Sequence, residues 1–277
     1  GPLTRITSVY GDINLHGQGG SNGNWINNYG VLLTNGAGIM STGTGENAAT
    51  IRITGAGGAG NDYNGGVLLD TSGTKLESVD GDITITGQGG SNGTADSDSN
   101  HGIAIRDGAA ITSTGTGVDA ATITLEGTGG AGYSSNIGVI LEGNEDGAIT
   151  AAADETRISS AYGDIVIKGQ GNTNGLDNSR ENIGILVFNE ARILSTGTSS
   201  EAAKILLHGI AGAGEDDNRG VHVKGEGGTT PLEEDTLITS AYGAIDITGV
   251  GGSNGDTGSN VNYGVWVENQ ARIFSTG

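Results

Sequence analysis

Along this chain hydrophobic and polar residues alternate in short segments of three kinds, which follow one another in fixed order. The first kind begins at Ile6, Ile39, Leu76, Ile111, Ile158, Ile193, Ile238 and Ile273, each with Ser two residues on. The second reads I-x-I/L-x-G and is led by Ile13, Ile51, Ile83, Ile123, Ile165, Ile205 and Ile245. The third reads G-V/I-x-L/V/I and is led by Val31, Val67, Ile103, Val139, Ile185, Val221 and Val265. A period of two turns one face inward and the other outward, as in a β-strand. Ile13 and Leu15 then face a core, while Asp12, Asn14 and His16 face out. Helical periodicity is absent.

No single three-segment unit can bury its inner face alone, so the units must stack. Seven copies of the second and third segments with eight of the first predict seven coils of a parallel β-solenoid and the start of an eighth. At the ordinary strand spacing this makes a rod roughly 34 Å long. Two kinds of coil alternate. The first and second segment leaders are 7 residues apart at Ile6, Leu76, Ile158 and Ile238, and 12 apart at Ile39, Ile111 and Ile193. Insertions from Glu142 to Arg157 and from Lys224 to Leu237 break the spacing. Loops carry function more often than the scaffold they leave, so these insertions are candidate functional elements. Each second segment ends in glycine, from Gly17 to Gly249, and the expected reason is a backbone conformation closed to other residues.

Composition strengthens this reading. Gly is 55 of 277 residues, and its fixed positions make it turn chemistry rather than flexible low-complexity sequence. With 12 basic and 32 acidic residues the formal charge is -20, which repels nucleic-acid phosphates and anionic membranes. There is no Cys, so no disulfide framework or thiolate metal site exists. No apolar run is long enough to insert in a membrane as a helix. Gly1-Pro2-Leu3 reads as an expression-tag scar, leaving residues 4–277 as one solenoid domain. The last residues, Ile273 to Gly277, open an eighth coil with no cap, as expected of a monomeric fragment excised from a longer array.

The blocks ITSTGTG, GDITITGQGG, ATITLEGTGGAG and NYGVWV resemble repeats of very large bacterial surface adhesins of the filamentous-haemagglutinin type. The resemblance covers the chain after residue 3. It implies an all-β, right-handed parallel β-helix, export to the extracellular space or outer cell surface, and a role as a rigid shaft or cell-contact surface. It also implies a glycan or protein of another cell as partner. It brings no catalytic motif, cofactor or metal site. The alternative is a glycan-binding or glycan-cleaving β-helix of the tail-fibre or lyase kind.

GGAGNDYNGG resembles a calcium-binding nonapeptide, with Asn61 and Asp62 as ligands, but the nine-residue repetition that builds such sites is missing, and an ordinary turn explains it. The acidic clusters Asp96-Ser97-Asp98, Glu145-Asp146, Asp216-Asp217 and Glu233-Glu234-Asp235 read as solvated charge. Asp12, Asp82 and Asp164 open the second segment of alternate coils, roughly 10 Å apart if stacked, near the spacing of an inverting glycosidase pair. Each follows Gly in a tight turn, however, and the fourth copy is Ala244. The GQGGSNG runs lack the helix that a dinucleotide site needs. His16, His101, His208 and His222 have no ligand spacing and are expected at the surface. The serine column from Ser8 to Ser275 shares the inward face, where it should form an internal hydrogen-bonded stack. Tyr10, Tyr162 and Tyr242 could make a spaced aromatic row. The outward column Leu32, Leu68, Ala104, Ile140, Leu186, His222 and Trp266 would align into a ridge, either covered by loops or free for contact. No residue is assigned a catalytic, cofactor or metal role, and the chain is expected not to be an enzyme.

Overall fold

A computed structural model of the chain describes residues 4–20, 26–91, 97–144, 155–172, 179–226, 235–252 and 261–277. It is an all-β, right-handed parallel β-helix of about seven coils. The first coil is β1 (Arg5–Ser8), β2 (Ile13–Gln18) and β3 (Val31–Leu33), and the second is β4 (Gly38–Ser41), β5 (Ile51–Ala56) and β6 (Val67–Leu69). The order repeats to β22 (Arg272–Ser275), which begins an eighth coil. Every third strand joins the same sheet, giving parallel sheets of eight, seven and seven strands. Right-handed winding is the sense that twisted parallel strands and their crossovers favour.

Register is strict. Ile6 pairs with Ile39, Ile13 with Ile51 and Val31 with Val67, and equivalent leaders pair in every later coil. Each inward hydrophobic column is therefore a run of Ile, Leu and Val repeated at the strand spacing. Ile51, Ile83, Ile123, Ile165 and Ile205 are all fully buried. At about 25 cal/mol per Å² of apolar surface, such columns supply the main driving force for stacking.

The glycine that ends the second segment has a different cause from the one its sequence position suggests. Among the described glycines, positive φ occurs at Gly36, Gly45, Gly73 and Gly108, and not at this corner. What requires glycine is close approach. A Cβ on Gly17 would lie 1.9 Å from the Gly30 carbonyl oxygen, and one on Gly127 would lie 2.1 Å from that of Gly138. The second and third strands meet there backbone to backbone, with no room for any side chain.

The serine column is buried as expected, from Ser41 to Ser240, but its members do not bond to one another. Ser160 Oγ donates to the Gly163 carbonyl at 2.5 Å and Ser195 Oγ to that of Ala203 at 2.6 Å, while Ser78 Oγ donates to Gly81. Each closes the turn of its own coil. The Oγ atoms of Ser41, Ser113 and Ser240 are buried with no hydrogen-bond partner among the described residues. Tyr10 and Tyr242 are exposed on the turns that follow the first sheet. Tyr10 and Tyr162 lie four strands apart in the stacking order, too far to form a continuous row.

Candidate functional site

The outer face of the third sheet is where the repeat departs most from uniformity. Its path is set by a tripeptide, N-x-G, that precedes every third segment, from Asn28-Tyr29-Gly30 to Asn262-Tyr263-Gly264. The residue before each Asn is left-handed: Asn27 (φ 64), Tyr63 (57), Ser99 (56), Ser135 (55), Glu181 (55), Asp217 (60) and Val261 (59). That kink turns the Asn side chain into the wall between loop and sheet. Asn64, Asn100, Asn136, Asn182 and Asn218 are completely buried.

These asparagines form a ladder along the rod. Asn28 Nδ2 donates to Asn64 Oδ1 at 2.8 Å, Asn64 Nδ2 to Asn100 Oδ1 at 2.8 Å, and Asn100 Nδ2 to Asn136 Oδ1 at 3.1 Å. The ladder stops there and resumes from Asn182 to Asn218 and from Asn218 to Asn262, both at 3.2 Å. At the break, Asn136 Nδ2 and Asn182 Oδ1 are buried without a partner among the described residues. The break falls at the first insertion, where the spacing between coils changes from 36 to 46 residues. A buried amide offers both a donor and an acceptor, so a stacked column satisfies itself as a polar core requires. The N-x-G signal was present in the sequence. Only the burial distinguishes it from an ordinary turn.

On the sheet itself the outward column runs in register from Leu32 through Leu68, Ala104, Ile140, Leu186 and His222 to Trp266. Loop residues Tyr29, Ile137 and Ile183 fold over it and make a second apolar cluster with Leu68, Ala104 and Ile140. Most of the ridge is thus covered, as one branch of the expectation held, although Leu32 is half exposed.

Between the loops and the far ends of the strands lies a groove of about 450 Å³ crossing coils two to six. Its floor includes Ile140 and Leu186, one wall carries Tyr63, Ser99, Ser135 and Glu181, and the other carries Arg106, Glu142, Phe188 and Lys224. Ser135 Oγ donates to Glu181 Oε2 at 2.8 Å, fixing that carboxylate on the wall. Arg106 pairs with Asp70 at 3.3 Å.

At the far end sits an aromatic and ionic cluster. The Arg219 guanidinium lies 4.0 Å over the Trp266 ring and pairs with Asp217 at 2.6 Å. His222 stacks on Trp266 with centroids 5.1 Å apart, and Tyr263 meets the same indole edge-on. Arg219 Nη1 lies 3.4 Å from His222 Nδ1 and can only donate, so Nδ1 accepts and the Nε2 proton points to Glu268 Oε1 at 2.9 Å. Burial lowers the His222 pKa, against the opposing hydrogen bond that the ring donates to Glu268, and the ring is neutral at pH 7. Burial also takes His101 down to about 4, with Arg106 adding to the effect.

The histidines therefore divide. His16 and His208 are exposed as expected, but His222 is buried because it lies on the sheet face that the loops cover, and His101 is largely so because it belongs to one of those covering loops. Asp12, Asp82 and Asp164 are not paired with one another. Each accepts a backbone amide of the next coil, from Thr50 at 3.0 Å, Thr122 at 2.9 Å and Lys204 at 2.8 Å. That hydrogen bond holds the Asp12 carboxyl below its usual range. Asp62 does the same for the Asp98 amide at 2.9 Å, and Asp98 for Ser134 at 2.8 Å. Among the described residues no group of three or more His, Asp or Glu is placed to hold a metal ion. Of the acidic clusters, Asp96, Glu145, Asp146, Glu233 and Glu234 lie outside the described residues, as do the middles of both insertions. Asp217 is ion-paired, and Asp235 is buried rather than solvated. Among the described residues, no helix is long and apolar enough to cross a membrane.

The chain matches no family model, no curated protein and no solved structure.

Proposed function

We propose that this chain is a non-catalytic structural and adhesive segment of a very large secreted bacterial surface protein, similar to the filamentous-haemagglutinin type. The observation that carries this reading is the unbroken in-register pairing of all three sheets from end to end. A scaffold of that kind is stiff along its axis and varies only in outward side chains. The charge of -20 keeps such a long β-structure soluble and opposes edge-to-edge aggregation. The groove left between the covering loops and the third sheet is its contact surface, since chemical variety concentrates there. Reading the parent gene tests the proposal. Many further coils of the same repeat and an export signal are expected; a short gene lacking both overturns it.

The glycan-cleaving alternative needs a pair of free acids. Asp12, Asp82 and Asp164 each spend a carboxylate oxygen on a backbone amide, which favours a structural role. Screening acidic and neutral polysaccharides for newly released reducing ends should detect none; turnover lost in Asp82→Asn would reinstate the enzyme.

A further inference from the structure

The groove on the third sheet has a charge balance unlike the rest of the molecule. Its ionic side chains are Arg106, Arg219 and Lys224 against Asp107, Glu142 and Glu181, a formal sum of zero within a chain of charge -20. The two arginines are moreover already ion-paired, Arg106 with Asp70 and Arg219 with Asp217. Both groove histidines are held neutral by burial. Nothing here selects an anion, and the surrounding acidic field repels one.

The groove runs along the rod, across the strands rather than beside one. Every strand beneath it is hydrogen-bonded on both sides, so no free backbone edge is offered to an extended peptide. A peptide lying there would leave its own amides and carbonyls to chance side-chain partners. A ligand whose polar groups are hydroxyls has no such cost. Carboxylates accept from hydroxyls and guanidinium groups donate to them, and both line the walls at Glu142, Glu181 and Arg106. Between these walls Ile140 and Leu186, with Phe188 beside them on one wall, provide an apolar strip for carbon-bound hydrogens. Arg219 Nε and His101 Nδ1, both on groove-lining residues, are buried with no hydrogen-bond partner among the described residues. Five coils set at the ordinary strand spacing span about 19 Å, the length of a tetrasaccharide.

We propose that this groove binds a linear, uncharged oligosaccharide, laid along the solenoid axis over coils two to six. The inference rests on the reading of this face as the contact surface and adds the chemical class of what it contacts.

The test is calorimetric titration of the whole chain with linear β-1,4-glucan, α-1,4-glucan and β-1,4-N-acetylglucosamine oligomers, with oligogalacturonate as the charged arm. At least one uncharged series should bind, with affinity rising to the tetrasaccharide and level beyond it. Glu181→Gln and Phe188→Ala should each weaken binding about tenfold or more. Lys168→Ala, on the outer face of the second sheet, should leave it unchanged. Glu181 is exposed, so Glu181→Gln should match the parent chain in circular dichroism and melting; Phe188→Ala removes a half-buried ring, so its circular dichroism should match while its melting falls slightly. Binding of oligogalacturonate alone, affinity indifferent to both groove variants, or no heat with any series at millimolar ligand would each overturn the proposal. None of these results touches the parent-gene test, so the groove can fail while the surface-protein reading stands.

Discussion

On the inner face of the third sheet, Leu33, Leu69, Ile105, Leu141, Val187 and Val223 are aliphatic in every coil and buried. One residue back along each strand, the outward column passes from Leu68 through Ala104 and Ile140 to His222 and Trp266. The two columns share the same strands, register and spacing. They differ in what they meet: the inner one meets two other sheets, and the outer one meets loops whose lengths alternate. The inner column must repeat because its partners repeat. The outer one is free to change, and there the groove, the aromatic cluster and the buried histidines collect.

Four experiments would break or sharpen this contrast. The largest effect is expected at the corner that brings the faces together. Gly127→Ala places a Cβ 2.1 Å from the Gly138 carbonyl oxygen and should cost about 4 kcal/mol or more in chemical denaturation. A loss under 1 kcal/mol would show that the corner opens freely. Leu141→Ala, in the fully buried inner column, should cost about 2–5 kcal/mol.

Third comes pH. Unfolded His101 takes a proton near 6.5 and folded His101 near 4, so protons favour the unfolded chain in that window. Stability is full above pH 6.5 and falls as pH drops toward 4. Because the ring is not wholly enclosed, the loss is about 1–3 kcal/mol. His101→Gln should remove that part of the slope when denaturation midpoints at pH 7 and 4.5 are compared. Equal slopes in the two proteins would mean that His101 titrates freely. The smallest effect belongs to Leu186→Ala, the same truncation as Leu141→Ala one coil on but on the half-buried outer column. About 1 kcal/mol is expected from the lost apolar contact. Equal costs for the two leucines would abolish the distinction between the columns.

The identity of each coil was legible in the linear pattern. Period-two alternation, the serine two places after each first leader and the glycine closing each second segment located all three sheets. Such signals are local, and stacking multiplies them in register. The asparagine ladder was half legible. N-x-G stands before every third segment, yet Asn is also an ordinary turn residue. Nothing in one coil reveals that its amide bonds to the amide 36 residues away.

The reason for the corner glycine was misread from sequence, since conformational freedom and close approach both select Gly and only coordinates separate them. His222 was misplaced for a related reason: alternation assigns it outward, and outward was equated with exposed. His101 stands in a loop, where exposure is the ordinary expectation. Loops returning over the third sheet bury that face.

For this protein, then, the order of residues determined which positions face in, how many coils stack and where the spacing breaks, because each is a matter of local period and repetition. Which outward positions are covered, which acids are engaged by a neighbouring coil's amides and where a neutral groove opens in an acidic rod were decided only by the tertiary structure. Those properties depend on contacts between residues 36 to 46 positions apart, and no single coil contains them.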